Sequence, residues 1–296
     1  MANLKETRNR ISSVRSTQQI TKAMKMVAAA KLRKAQERII NIRPYNKKLR
    51  EVMANLSDSV EGSPVEPYFE KRELHRVLFV PITSDRGLCG SFNNAIGKLT
   101  AQKINTHYPT MYKDRNAQIL SIGKRAHDYF RNRNYPIVDS HDGIFNELSF
   151  ERAQSIADHL MDLFLKGEYD EIFLVHNSFY NPAVYQQLVV PFLPVKLDDE
   201  SQAKKSQFLH DYIFEPDKFG ILSELVPRTL RINLYSALLD SNAAEHGARM
   251  TAMDNATDNA SELLEDLRIE YNKARQAAIT KEILEIVSGA DALASS

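Results

Sequence analysis

The sequence predicts a mixed fold class: α/β plus long helices, with an antiparallel two-helix coiled coil formed by the two ends and a small α/β (Rossmann-like) domain inserted between them. Three observations predict it. Helix breakers and bulky aromatics are confined to the middle, where eight of the ten Gly, nine of the eleven Pro and 22 of the 25 Phe and Tyr fall between residues 62 and 220. Both ends carry apolar residues at the alternating three-and-four spacing of a heptad seam. The middle alternates short β-type runs with helical stretches. The division that follows is a first coiled-coil helix over 1–60, a linker over 61–75, an α/β domain over 76–195, a second linker over 196–216 and a second coiled-coil helix over 217–296.

Residues 3–57 read as one helix. Stepping by three and four from Leu4 to Leu56 visits 16 positions, of which 11 are apolar, among them Ile11, Val14, Leu32, Ile39, Leu49 and Met53. The seam falters at Gln18, Thr21 and Lys25, where Ile20, Met24 and Val27 are expected to move the apolar stripe to an adjacent face. Pro44 is expected to kink the helix without ending it.

Residues 218–289 read as a second helix, with Asp217 placed to cap its start and Gly289 to end it. The same stepping from Leu222 to Ala278 visits 17 positions, 13 of them apolar. The lone seam histidine, His246, is a residue of the kind that sets register. The two helices most simply pair antiparallel. At 1.5 Å per residue they would span roughly 80 and 105 Å, so the second outruns the first. Its end, with Ile279, Ile283, Leu284, Ile286 and Val287, is apolar on more than one face and calls for something to surround it.

Between the helices, Arg76–Thr83 reads as a buried strand, with further strands at Gln118–Ile122, Glu171–Val175 and Gln187–Val195. Helical stretches near 91–107, 124–132 and 149–166 alternate with them, which implies a mainly parallel sheet. The stretch 196–212 reads as a polar excursion.

Charge is asymmetric. Residues 1–50 hold 14 Lys and Arg against Glu6 and Glu37, or +12, while the whole chain is +1, which leaves −11 for the rest. Such a basic end suggests an interaction surface. It carries one aromatic, Tyr45, and no single charged stripe, which argues for a solvated face or an acidic protein partner over nucleic acid. One cysteine, Cys89, excludes an internal disulfide and a Cys-rich zinc site and fits a reducing compartment. Met26–Ala30, the longest apolar run near the start, is too short for a membrane span.

The most tempting chemistry lies in Thr83-Ser-Asp-Arg-Gly-Leu-Cys-Gly-Ser-Phe-Asn93, a strand-to-helix segment of the kind that often holds phosphate. With only Gly87 and Gly90 present, it lacks both the dinucleotide pattern and the P-loop pattern. It reads first as a tight turn and second as a ligand site. Cys89 has no histidine near it in sequence, and a small core cysteine is the preferred reading. The eight histidines show no metal spacing. Asp142, Glu147, Glu168 and Asp170 fall in turns or at helix ends, where carboxylates are expected anyway. No catalytic residue, cofactor or metal is therefore expected. An α/β enzyme oligomerised by its coiled coil stands as the alternative, and a nucleic-acid-binding coiled coil as a third reading.

Four segments resemble the gamma subunits of the rotary F-type ATP synthases, bacterial type. They are Arg8–Ala28 (RNRISSVRSTQQITKAMKMVA), Ser84–Gly90 (SDRGLCG), and the pair Arg249–Ala260 and Tyr271–Ala290. The resemblance implies a rotating central stalk without a catalytic site, one copy per complex, coupling proton flow through the membrane rotor to ATP synthesis or hydrolysis in the catalytic ring. It implies as partners the alpha and beta subunits of the F1 ring, an epsilon-type subunit and the c-ring, and a peripheral place on the cytoplasmic face of the bacterial inner membrane. By the same likeness Met24, Lys25, Arg275, Gln276 and Thr280 would contact the ring. Ile279, Ile283, Ile286 and Val287 would form the bearing tip, and Asp85, Gly87 and Gly90 the turn of the middle domain. Some relatives carry an acid where this chain has Lys25.

Overall fold

The computed structural model describes residues 4–56, 60–182, 184–196 and 217–294. Residues 197–216, which hold all of the second linker but Lys196 and with it nearly all of the polar excursion, lie outside the described residues. Two long helices, α1 (Leu4–Asn55) and α6 (Lys218–Ala294), enclose in sequence a five-stranded sheet with its helices. The chain divides into two compact units, one of residues 1–28 and 250–296 and the other of residues 29–249.

In the second unit the order is β1 (Val77–Pro81), α2 (Phe92–His107), α3 (Pro109–Lys113), β2 (Ala117–Ile122), α4 (Lys124–Arg131), β3 (Ile137–His141), α5 (Phe150–Leu165), β4 (Glu171–Asn181) and β5 (Val184–Leu193). The strands lie in the order β3-β2-β1-β4-β5. All neighbours run parallel except β4 and β5, which form an antiparallel hairpin at one edge. Right-handed crossovers put α2 and α4 on one face and α5, which reverses the direction of travel, on the other. The winding therefore reverses between β1 and β4.

β1 is buried at every residue, as a central parallel strand must be. Phe79 stacks on Phe173 with ring centroids 5.3 Å apart and meets Tyr108 edge to face at 5.7 Å. Ile96, Ile104, Ala126 and Phe130 from α2 and α4 close the same core. Gly97 brings α2 close to α4, since a Cβ there would sit 2.7 Å from the Tyr129 ring. On α5, Ile156, Leu160 and Phe164 are buried, and Ser149 caps the helix by accepting from the Arg152 N–H. Asp170 accepts from the backbone N–H groups of His75 and Arg76 at 2.8 and 2.7 Å, which ties the entries to β1 and β4 together.

Several expectations change. β3 and α3 were not expected; β3 is only half-buried and mixes polar with apolar residues, so no alternation marks it. β4 runs six residues past Val175 because its hairpin with β5 extends beyond the parallel strands. The hairpin tip is close to α6: a Cβ on Gly247 would lie 2.8 Å from the Pro182 carbonyl oxygen. Pro44 does not end α1, as expected, and Pro227 likewise lies inside α6. Gly289 does not end α6, which continues to Ala294. Without a left-handed turn, glycine weakens a helix by only about 1 kcal/mol and does not stop it. Asp217 does cap α6, its carboxylate accepting from the Gly220 N–H at 2.7 Å.

Candidate functional site

In the first unit, α1 and α6 run antiparallel, and the positions where the heptad seam falters are its best-defined contacts. Gln18 Nε2 donates to Ser261 Oγ at 2.7 Å, the Thr21 and Thr257 hydroxyls share a hydrogen bond of 2.8 Å, and Lys25 Nζ pairs with Asp254. Each step of three or four forward along α1 is matched by one of three or four back along α6. The apolar stripe therefore does not move to the adjacent face. Thr21 is buried, whereas Ile20 and Val27 are 59% and 57% exposed. A hydrogen-bonded rung keeps its place in the seam because both partners are satisfied there. Lys25, a seam position that the family likeness also makes a ring contact, is engaged with Asp254, and both side chains remain half exposed. Met24 is half-buried.

Farther along α6, burial ends. Leu264 and Leu267 are buried, but every residue from Arg275 to Ala290 is exposed. Ile279, Ile283, Ile286 and Val287 are exposed by 47–66%, and Leu284 is similar. Arg275, Gln276 and Thr280 share this stretch, the Thr280 hydroxyl donating to the Gln276 carbonyl at 2.9 Å. Scattered exposed leucines are ordinary, but five large aliphatic residues within nine positions are a surface waiting for a partner.

In the second unit, the turn after β1 is fastened from several sides. The Ser84 N–H and hydroxyl both donate to Asn93 Oδ1, at 2.9 and 3.0 Å. Half-buried Asp85 accepts from the N–H groups of Lys124 and Gly143 at 3.1 and 3.0 Å. Arg249 pairs with Glu245 and donates to the carbonyls of Arg86 and Gly87 at 3.3 and 3.2 Å. Gly87 faces Arg125, whose guanidinium would be 3.0 Å from an added Cβ, and Gly90 has φ +60°. Leu88, also left-handed at φ 64°, is 65% exposed.

Cys89 is buried, and burial pushes its thiol up. Its neighbours are Ser84, Asn93 and the Arg86 carbonyl, none of them a base. That arrangement is a packed cysteine, as expected, and gives the enzyme alternative no nucleophile. His246 is buried, and burial, with Arg249 and Lys31 nearby, holds it down near 4. Among the described residues no group of three or more His, Cys, Asp or Glu is arranged to hold a metal ion. Nor is any helix there long and apolar enough to cross a membrane.

Sequence reasoning missed Asp254, Thr257 and Ser261 as partners of the polar seam, and Glu245 and Arg249 as the fastening of the turn. A signal existed for the rungs. The seam of α6 is polar at Thr257 as that of α1 is at Thr21, and matching interruptions on antiparallel helices are natural partners. Nothing in the spacing connects Arg249 with residues 86 and 87.

A family model described as ATP synthase matches residues 3–293. The chain is 48% identical over 293 residues to the ATP synthase gamma chain of Cytophaga hutchinsonii and 49% identical over 293 residues to that of Christiangramia forsetii, covering 99% of both chains in each case. Among solved structures it is similar to a chain of the central stalk and c-ring of the Tetrahymena thermophila mitochondrial ATP synthase. That match has a TM-score of 0.59 and 27% identity, and covers 80% of this chain and 99% of that one. A chain of the Euglena gracilis mitochondrial ATP synthase shares the fold, with a TM-score of 0.68, 21% identity, and coverage of 98% and 94%.

Proposed function

The chain belongs to the ATP synthase gamma-chain family, and from that premise we propose that it is the rotating central stalk of a bacterial F1Fo ATP synthase. It couples proton flow through the membrane rotor to ATP synthesis or hydrolysis in a ring of catalytic subunits. The chain itself is a non-catalytic subunit. It transmits torque, and its asymmetry presents a different face to each catalytic site in turn.

The observation that carries this reading is the bare apolar end of α6. A helix with Ile279, Ile283, Leu284, Ile286 and Val287 all exposed needs a sleeve. A ring of alpha and beta subunits supplies one, with Ile279, Ile283, Ile286 and Val287 as the bearing. Arg275, Gln276 and Thr280, exposed at the start of the same stretch, contact the catalytic subunits. On α1, Met24 and Lys25 face an acidic segment of the ring, with Lys25 offering the outer side of an ammonium already shared with Asp254. The turn with Asp85, Gly87 and Gly90 and the rest of the α/β unit serve the lower stalk, toward an epsilon-type subunit and the c-ring. One copy stands in each complex, peripheral on the cytoplasmic face of the inner membrane.

The test is co-expression of the tagged chain with the ring subunits, recording native mass and ATP hydrolysis of the eluate. One copy in a six-membered, ATP-hydrolysing ring, lost on deletion of 276–296, is the expected result. A chain that elutes alone, or a complex indifferent to that deletion, would overturn the reading.

A further inference from the structure

The glycine-bearing segment after β1 had a second reading as a ligand site, and the geometry around it shows what occupies the place. In parallel sheets, anions collect at the N-termini of the helices that follow the strands, where the first N–H groups lack partners and the helix dipole is positive. α4 starts in this way directly after β2, through Gly123 at φ +89°. Its first three donors are all taken by consecutive residues of the chain after β1. The Lys124 N–H bonds Asp85 Oδ1 at 3.1 Å, the Arg125 N–H bonds the Ser84 carbonyl at 3.2 Å, and the Ala126 N–H bonds Thr83 Oγ1 at 2.7 Å.

The same Asp85 oxygen accepts from the Gly143 N–H at 3.0 Å, just past the end of β3. Thr83 and Ser84 are 1% and 0% exposed, and Asp85 Oδ2 is sealed from solvent with no partner of its own. A carboxylate oxygen held by two backbone donors from two elements, with its twin buried beside it, is disposed as a bound anion would be. A side chain at 123 would collide with the Thr83 carbonyl oxygen, 2.2 Å from its Cβ, so the approach of the two segments is enforced by glycine.

We propose that Thr83-Ser84-Asp85 is an internal ligand: its carboxylate fills the phosphate-accepting end of α4, closes the α/β unit to phosphate and nucleotide, and pins the ends of β1, β2 and β3 together. Asp85 is on this account a positioning residue. The turn at 84–90 keeps its geometry because an anion of the chain's own sits where a ligand would.

The experiment uses the full chain with Asp85→Ala and Asp85→Asn. Thermal midpoints are measured in millimolar phosphate against chloride at matched ionic strength, alongside phosphorus NMR line widths of the phosphate. Asp85→Ala vacates the seat and should melt several degrees below the parent. Phosphate should restore a good part of that loss and broaden in its presence, while the parent shows neither effect beyond the general salt response. Asp85→Asn keeps the shape and loses the charge, so it should melt between the two and respond to phosphate more weakly than Asp85→Ala. It carries the test if the alanine variant does not fold. Equal phosphate responses in parent and variants, broadening by the parent, or an Asp85→Asn melt equal to the parent's would each overturn the proposal.

Discussion

The two units solve the problem of holding two helices and a sheet in place by opposite means. The unit of residues 29–249 buries Phe79, Phe92, Phe130 and Phe164 completely, within and on both faces of a sheet whose central strand is inaccessible at every position. The unit of residues 1–28 and 250–296 buries, among its described residues, only Thr7, Thr21, Ala28, Met253, Ala260, Leu264 and Leu267. None is aromatic, and two are threonines. Full burial of a Leu or Met contributes roughly 1.5–3 kcal/mol and of an alanine far less, so this seam has little with which to offset the entropy of ordering its helices. What it has instead is position, since three consecutive polar rungs define which residue faces which. The first arrangement makes a body stable by itself. The second makes a surface whose geometry is specified but whose rigidity must come from what encloses it.

The comparison can be broken most forcefully at the core. Phe130→Ala should lower the stability of the α/β unit by about 3–5 kcal/mol, read from the urea midpoint, because the cavity lies among rigid aromatic neighbours. A loss below 1 kcal/mol would mean that this core is looser than its burial implies.

Acid probes the same unit through buried histidines. Burial holds His176 and His246 down at about 4, below the usual histidine range. Their folded values lie below their unfolded ones, so each contributes stability that is present above the unfolded value and lost as pH falls toward 4. The loss is of order 3 kcal/mol per histidine when complete. Burial raises Asp240 to about 6, and its contribution runs the other way, present at low pH and lost as pH rises through 6. Glu245, also raised by burial, acts in the same sense as Asp240. His246→Gln should therefore flatten the fall in stability between pH 6.5 and 4. Unchanged pH dependence in that variant would remove His246 from the account.

The rungs sharpen the contrast at smaller scale. Thr21→Val alone leaves the Thr257 hydroxyl without its cross-helix partner and should cost about 1 kcal/mol, whereas Thr21→Val with Thr257→Val should be nearly neutral. The double-mutant cycle measures the coupling, and additive losses would mean the two hydroxyls act independently. Smallest of all is Ile286→Ala, which should change the melting of the free chain by no more than about 0.5 kcal/mol because the side chain is 66% exposed. Its effect should appear only on assembly. Amide exchange over 260–290 should be fast in the free chain and slow in the complex, and equal protection in both would contradict the division drawn here.

How much of this was legible in the sequence follows the same line. Long-period signals survived: the heptad seams announced α1 and α6, and the apolar runs announced β1, β2 and β4. The bare tip was readable because its apolar residues outnumber any single face. What failed were elements defined by partners distant in sequence. β3 is a half-buried edge strand without alternation, and Gly289 resembles a helix stop only if the next residues turn. The polar interruptions at Gln18, Thr21 and Lys25 looked like a shift of the stripe because their partners, Ser261, Thr257 and Asp254, lie at the other end of the chain.

The close approach of Gly247 to Pro182 has an evolutionary consequence. Any side chain at 247 would strike the carbonyl of the hairpin tip, a backbone atom that cannot rotate away. Drift at this position is therefore blocked unless the β4–β5 loop changes length or path in the same lineage. The two segments, far apart in the gene, should be inherited as a matched pair, and a chimera that takes its hairpin from one relative and its final helix from another should fail first at this crossing.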